Sequence, residues 1–205
     1  MITHVLFDLS NVLLRWLPDK AVKAAVDDPD AYALVKQGIY CHADWMAFAA
    51  GKLSLDDFMQ RANDRTGLTE AELNRLLDAT ANLAMPPLRE GIQLLESAVK
   101  LGISCHFLAN LPRPIFERMQ HRPMWQYFNS GVISADFGRL KPDPKLFDQA
   151  VQTCGLSPQS TLFVDNSHTN VINAVALGFH TEIFRADSVC YERIKHRLEH
   201  TLKCG

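Results

Sequence analysis

Asp8, Lys141 and Asp165 are residues whose types permit catalysis, provided the fold brings them to one crevice. Two carboxylates with no cation between them repel, and one is driven to take up a proton. A hard divalent ion removes that conflict. Mg²⁺ favours such a site: one or two carboxylates, several waters and phosphate oxygens in octahedral geometry. Lys141 adds a fixed positive charge for a phosphate group and for an ionised nucleophile. With the phosphate oxygens neutralised, a carboxylate can attack phosphorus and form an aspartyl phosphate. Each residue alone has a plainer reading. Asp8 is followed by Leu9, Ser10 and Asn11, a turn composition, and Lys141 before Pro142 is an ordinary place for a solvated loop lysine. Convergence is what the rest of the chain must supply.

Val5, Leu6 and Phe7 have the pattern of a strand buried on both faces, and they deliver Asp8. The run at 103–108 (ISCHFL) delivers Ala109 and Asn110, and 161–164 (TLFV) presents Asp165 and Asn166. A strand at 132–134 leads through the Gly138 turn to Lys141, and 181–184 reads as a fifth strand. Helices are expected between them at 88–100, 114–121, 145–153 and 171–177, with a tail helix at 191–202 and Cys204 beyond it. In the first of these, Leu88, Ile92, Leu95 and Val99 share one face. Such alternation implies an α/β fold, a Rossmann-like parallel sheet with helices on both faces. Ligands of open sheets bind beyond the carboxyl ends of the strands, where Asp8, Asn110, Lys141 and Asp165 all fall.

Residues 15–82 read as helices only. Trp45, Phe48 and Ala49 recur at helical spacing before Gly51, Ser54 and Asp57 start another helix, and Thr69 with Glu72 forms a capping box ahead of Leu73, Leu76 and Leu77. The expected organisation is a core domain of residues 1–14 and 83–205 with a helical cap domain at 15–82.

The 205 residues, 47% of them hydrophobic, suffice for a sizeable core. A formal net charge of −2 leaves no basic excess for nucleic acid or anionic membrane, so a small molecule is the expected partner. Five scattered cysteines, with no CxxC pair, indicate neither a disulfide framework nor a zinc knuckle. With no leader-like start and no apolar run near 18 residues, a cytoplasmic location is expected.

FDLSNVL at the start, a strand ending in LAN, then GRLKPDPKLF, then TLFVDN and a helix to LGF resemble motifs one to four of the haloacid dehalogenase superfamily, in order and over nearly the whole chain. The third is the most specific, with Lys141, Pro142, Pro144 and Phe147 at the family spacing. An insertion directly after the first motif resembles the C1 cap of the phosphatase-like branch, which closes over the site and selects the substrate. The resemblance implies that Asp8 is nucleophile and metal ligand, that Lys141 binds phosphate, and that Asp165 is the second acidic ligand. It also implies that magnesium is held with help from the Ser10 carbonyl and Asn166.

Three departures bear on activity. Phosphatases of this family usually carry Asp two residues after the nucleophile as general acid and base; here it is Ser10. Such assistance is typically worth roughly 10² to 10⁴ in rate. A sugar-phosphate phosphatase subgroup has a small residue followed by Asn there, like Ser10 and Asn11. Motif two normally ends in Ser or Thr where this chain has Ala109, a loss of roughly 1 to 3 kcal/mol for an unmet charged hydrogen bond. Asn110 remains as a donor, and Asn110, Lys141 and Asn11 are the expected substrate contacts. Motif four often has paired Asp where Asn166 now follows Asp165. The expected function is a slow Mg²⁺-dependent hydrolase of small phosphomonoesters, sugar phosphates among them. The alternative is a catalytically silent protein that binds a phosphorylated ligand. A dehalogenase is disfavoured, because Ser10 is not the aromatic residue that branch places there and Asp165 is retained. His168 is read first as an exposed loop histidine and second as a proton-transfer group. Arg113, Arg15 and Trp16 are read as surface or hinge residues before substrate contacts, and His42, Trp45 and Phe48 as cap core before crevice lining.

Overall fold

β1 (His4–Phe7) lies at the centre of a five-stranded sheet, and five helices follow it before the chain returns. They are α1 (Pro18–Ala25), α2 (Tyr32–Ile39), α3 (Ala43–Ala49), α4 (Leu55–Thr66) and α5 (Glu70–Asn82). Strand and helix then alternate: α6 (Arg89–Lys100), β2 (Ser104–Ala109), α7 (Arg113–Arg118), β3 (Ser130–Ile133), α8 (Pro144–Cys154), β4 (Thr161–Asp165), α9 (His168–Ala176), β5 (His180–Ile183) and α10 (Ser188–Thr201). This is a computed structural model that describes residues 1–201; Leu202 and Cys204, placed in and after the tail helix by sequence, lie outside the described residues. The strand order is β3-β2-β1-β4-β5 and every pair is parallel.

The two-residue period of the strands explains the layers. Val5 and Phe7 of β1, Cys105 and Phe107 of β2 and Val164 of β4 enter one apolar cluster with Leu94, Leu95 and Ala98 of α6 and Ile194 and Leu198 of α10. Leu6, Leu108, Val132 and Phe163 point to the other face, against Leu146, Phe147 and Ala150 of α8 and Ala174 of α9. The predicted tail helix therefore starts earlier than Tyr191 and has a buried face at Cys190, Ile194 and Leu198.

The core of the insertion is continuous with the first of these layers: Val22, Val35, Ile39, Phe58 and Leu73 belong to the same cluster. The capping box forms as the sequence specified, Thr69 accepting from Glu72 N–H while Glu72 accepts from Thr69 N–H at 2.8 Å. Trp45, Phe48 and Phe58 make an aromatic nucleus, the last two stacked at 4.3 Å. His42 caps α3, its Nδ1 accepting from Asp44 N–H at 3.2 Å. The insertion touches the core tightly at Ala49 and Gly51, among other places. Ser134 donates to the carbonyl of Ala49, and at Gly51, in the left-handed region at φ 68°, a Cβ would stand 2.0 Å from the Ala135 carbonyl oxygen.

One buried polar cluster lies away from the strand carboxyl ends. His106 on β2, 3% exposed, faces Ser130 Oγ at 2.8 Å and His4 Nδ1 at 3.2 Å. Burial, with the neighbouring His4 adding to it, lowers its pKa from 6.5 to about 4. A depressed folded-state pKa means that the unfolded chain binds the proton more readily. The stabilisation is complete above about pH 6.5 and is lost as pH falls through about 4, amounting to at most roughly 3 kcal/mol. Urea midpoints should therefore fall between pH 7 and pH 4.5, and that slope should flatten in His106→Asn.

Candidate active site

Phe7 pairs with Val164 in the parallel register, so the next residues, Asp8 and Asp165, leave adjacent strands side by side. The Asp8 N–H donates to the Val164 carbonyl at 2.9 Å and fixes that alignment. Lys141 reaches between them: its Nζ donates to Asp8 Oδ1 at 2.7 Å and to Asp165 Oδ2 at 2.8 Å. All three are buried, Asp8 6%, Lys141 5% and Asp165 0% exposed. Three charges, separated by up to 157 positions in the chain, thus meet at the carboxyl edge of the sheet.

Each is held by its neighbours. Asn110, the residue after β2, brackets Lys141 through its side-chain amide, accepting from Lys141 N–H at 2.7 Å and donating to the Lys141 carbonyl at 3.1 Å. The 141–142 peptide is cis. Asp143 then caps α8 by accepting from Lys145 N–H at 2.9 Å, with Pro144 in the first turn, where a missing N–H costs nothing. Asp165 accepts from Ser167 N–H at 2.7 Å and from Asn170 Nδ2 at 2.9 Å in addition to Lys141. Ser134 Oγ accepts from Leu111 N–H at 2.9 Å. Ser134, Ser167 and Asn170 were missed by sequence reasoning. Only the last two left a trace there: a cap serine starting the helix after Asp165, and an Asn one turn along it.

The loop after β1 is a tight turn in which Leu13 and Leu14 N–H both donate to Leu9 O at 2.9 Å. Asn11 occupies the left-handed region at φ 56°, which Asn tolerates better than most residues, and its Oδ1 accepts from Trp16 N–H at 3.0 Å. Gly91 of α6 lets the helix seat against this turn, since a Cβ there would stand 1.8 Å from the Val12 carbonyl oxygen. Gly91→Ala should therefore destabilise the fold by about 1–3 kcal/mol through overpacking, although Ala is the better helix former. Thermal melts of the pair measure it.

Burial raises the Asp8 pKa to about 7; the Lys141 ammonium opposes that rise and the Asp165 carboxylate adds to it. Burial alone would lower the Lys141 pKa, but the two carboxylates outweigh it and the value is raised. The cluster holds two acids and one base, so with both carboxylates ionised one positive charge is wanting; burial first, and the Asp165 carboxylate after it, push Asp8 toward the neutral form. Added positive charge at Asp8 would favour its ionised form. The donors here are all oxygen and hard, which suits Mg²⁺ rather than zinc or copper. Among the described residues no three His, Cys, Asp or Glu side chains cluster to hold a metal. A cation here would therefore take two carboxylates and complete its shell from carbonyl, amide, water or substrate oxygens, a composition Mg²⁺ accepts.

The other predicted residues separate. Ser10 and Asn11 line a cavity of about 170 Å³ together with Asn110. Asn166 is exposed directly after Asp165, and His168 is exposed at the start of α9. Arg113 pairs with Asp136 rather than entering that cavity, and Arg15 is exposed. Ala109 is buried at the end of β2. Trp16 and Trp45 both line the cavity, the second reading the sequence gives each of them, while Trp45 also belongs to the buried core, because the insertion folds its aromatic nucleus over the β1 and β2 ends.

Known proteins resemble this chain in sequence and in fold. The chain is 27% identical over 174 residues to a sesquiterpene phosphatase of Aspergillus oryzae, covering 84% of this chain and 85% of that protein. It is 26% identical over 193 residues to the D-ribitol-5-phosphate phosphatase of Bacteroides thetaiotaomicron, covering 88% and 91%. A predicted hydrolase from Porphyromonas gingivalis superposes with a TM-score of 0.75 at 22% identity over 97% of this chain and 98% of that one. A Bacteroides thetaiotaomicron enzyme solved with magnesium and inorganic phosphate superposes at 0.70 with 19% identity, covering 92% and 96%. These two share the fold. No described helix is long and apolar enough to cross a membrane. Residues 2–178 match the haloacid dehalogenase-like hydrolases, and the chain belongs to that family.

Proposed function

We propose that this hydrolase is a Mg²⁺-dependent phosphatase of small phosphomonoesters, with Asp8 as nucleophile and residues 15–82 as a cap over the site. The observation that carries the reading is the Lys141 ammonium bonded to both Asp8 and Asp165 at adjacent strand ends. Asp8, Asp165, the Ser10 carbonyl and Asn166 are the residues that would hold the metal. When bound, the ion supplies positive charge to the phosphate oxygens and to the carboxylates. The relatives named above act on a polyol phosphate and on a sesquiterpene, so their names leave the substrate open.

The residues present account for a two-step displacement. Lys141 draws the phosphate toward Asp8 and offsets its negative charge. An Asp8 carboxylate oxygen forms a bond to phosphorus while the bond from phosphorus to the ester oxygen breaks. The alkoxide takes its proton from water, since Ser10 cannot exchange one near neutral pH. A second water then attacks the phosphorus of the aspartyl phosphate, its proton passing to solvent, which releases inorganic phosphate and restores the Asp8 carboxylate. Both proton transfers lack a built general acid or base, so turnover is slow.

Phosphate release from p-nitrophenyl phosphate and a panel of sugar phosphates, with and without Mg²⁺, tests the reading. Activity in the parent chain removes the silent-binder alternative, which Ser10, Ala109 and Asn166 otherwise favour. Ser10→Asp should raise kcat for alkyl esters by about 10²-fold, the lower end of what general acid–base assistance provides. No release from the parent on any ester, with release appearing only in Ser10→Asp combined with Ala109→Ser, establishes the binding protein instead.

A further inference from the structure

The cavity beside the charged cluster is chemically lopsided. Its wall beyond Ser10, Asn11 and Asn110 is Trp16, Trp45, Met85, Leu111 and Pro112, so no residue lining it carries a formal charge. Of its Ser and Asn side chains, the Asn11 amide oxygen and both ends of the Asn110 amide are committed already, leaving the Ser10 hydroxyl and the Asn11 amide nitrogen. The Asn11 amide oxygen accepts from Trp16 N–H, and the Asn110 amide is engaged at both ends by the Lys141 backbone. A leaving group bearing several hydroxyls would exchange water for a surface with few free partners, at about 1–3 kcal/mol for each hydroxyl left unpaired. An apolar group would instead gain burial against the wall. Trp16 and Trp45 stack at 5.7 Å with 27° between their planes, and Trp16 is only half-buried by its protein neighbours. The cavity opens to solvent, so its volume describes the part of a substrate held against the wall. At about 170 Å³ the space is close to that of an apolar cavity that accepts benzene, roughly 150 Å³.

We infer that this cavity receives the leaving-group end of the substrate and selects a compact apolar group, about the size of a benzyl or five-carbon prenyl unit, over a polyol. The inference rests on the phosphatase reading and narrows it. Asn110 links the two parts of the site, since it lines the cavity and also brackets the lysine bonded to Asp8.

Benzyl phosphate and glycerol 3-phosphate form the informative pair, because both release primary alkoxides of similar basicity and differ mainly in polarity. In the full chain with Mg²⁺, kcat/KM should favour benzyl phosphate by about tenfold or more, the scale of discrimination that apolar pockets provide. Binding gives a second readout that needs no turnover. Benzylphosphonate should bind about tenfold more tightly than 3,4-dihydroxybutylphosphonate by calorimetry, and should alter tryptophan fluorescence. Trp16→Ala should remove most of that preference while leaving affinity for inorganic phosphate unchanged, and Trp16→Phe should restore it. Equal or tighter binding of the dihydroxybutyl compound, no binding of either phosphonate, or equal weakening of both in Trp16→Ala overturns the inference. Hydrolysis that prefers glycerol 3-phosphate overturns it while the phosphatase reading stands. Tight benzylphosphonate binding with no hydrolysis of any ester leaves the cavity assignment and removes the phosphatase.

Discussion

Asp8→Asn should abolish phosphate release, lowering kcat by about 10⁵-fold or to the background rate, as removal of a nucleophile does in other covalent hydrolases. The substitution is nearly isosteric and leaves an oxygen able to accept from Lys141 Nζ, which lies 2.7 Å from Asp8 Oδ1. The fold should therefore persist, and circular dichroism of the variant should match the parent. It also removes one of the two buried carboxylates, and with it both the burial cost of an ionised Asp8 and its repulsion with Asp165. A variant as folded as the parent and equally active on p-nitrophenyl phosphate would remove Asp8 from the chemistry, whatever the fold.

Lys141→Met should be costly in both stability and rate. Met fills much of the lysine stem's volume but leaves Asp8 and Asp165 facing each other, 6% and 0% exposed, with no ammonium between them. Removing one partner of a buried ion pair typically costs 3–5 kcal/mol, because the charge left behind is uncompensated. The expected result is a loss of about that size in urea unfolding at pH 7, together with at least about a 10³-fold loss of kcat/KM, since a fixed charge stabilising a transferring phosphoryl group is removed. The stability loss should shrink as pH falls. Without the ammonium the Asp8 pKa rises above about 7, so the variant's carboxylates already share a proton at neutral pH, whereas the parent loses attraction to Lys141 as pH falls through about 7 and Asp8 takes up its proton. Urea titrations of parent and variant at pH 5 and pH 9, on either side of the Asp8 pKa of about 7, distinguish this from a simple packing defect, which would be independent of pH.

Asn110 acquires a different emphasis from the structure. By sequence it was a substrate donor; in the fold both ends of its amide hold the backbone of Lys141. Its carbonyl-side and amine-side bonds fix the position of the lysine from which Nζ reaches the two carboxylates. This also bears on Ala109, the residue before it: the hydroxyl usual at that place is missing, yet the strand end still delivers its neighbour to the lysine.

The sheet, the insertion after β1 and the strand ends that carry Asp8 and Asp165 are legible in local pattern. Strands buried on both faces are written as continuous apolar runs, so their ends are visible, and Asp8 and Asp165 stand there without an apolar reason to do so. Helix signals are equally local: the Thr69–Glu72 box and the cap at Ser54 lie within one turn and form as their spacing dictates. Whatever depends on contact between distant segments is set by packing and is not legible in local pattern. The bonds from Asn170 and the Ser167 N–H to Asp165, the Ser134 contact with Ala49 and the seating of Gly91 on Val12 have no periodicity to betray them. The same holds for Trp16 and Trp45. Their helical spacing is satisfied equally by a closed core or by a wall that faces the site, and it is the docking of the insertion over the β1 and β2 ends that places them beside Ser10 and Asn110.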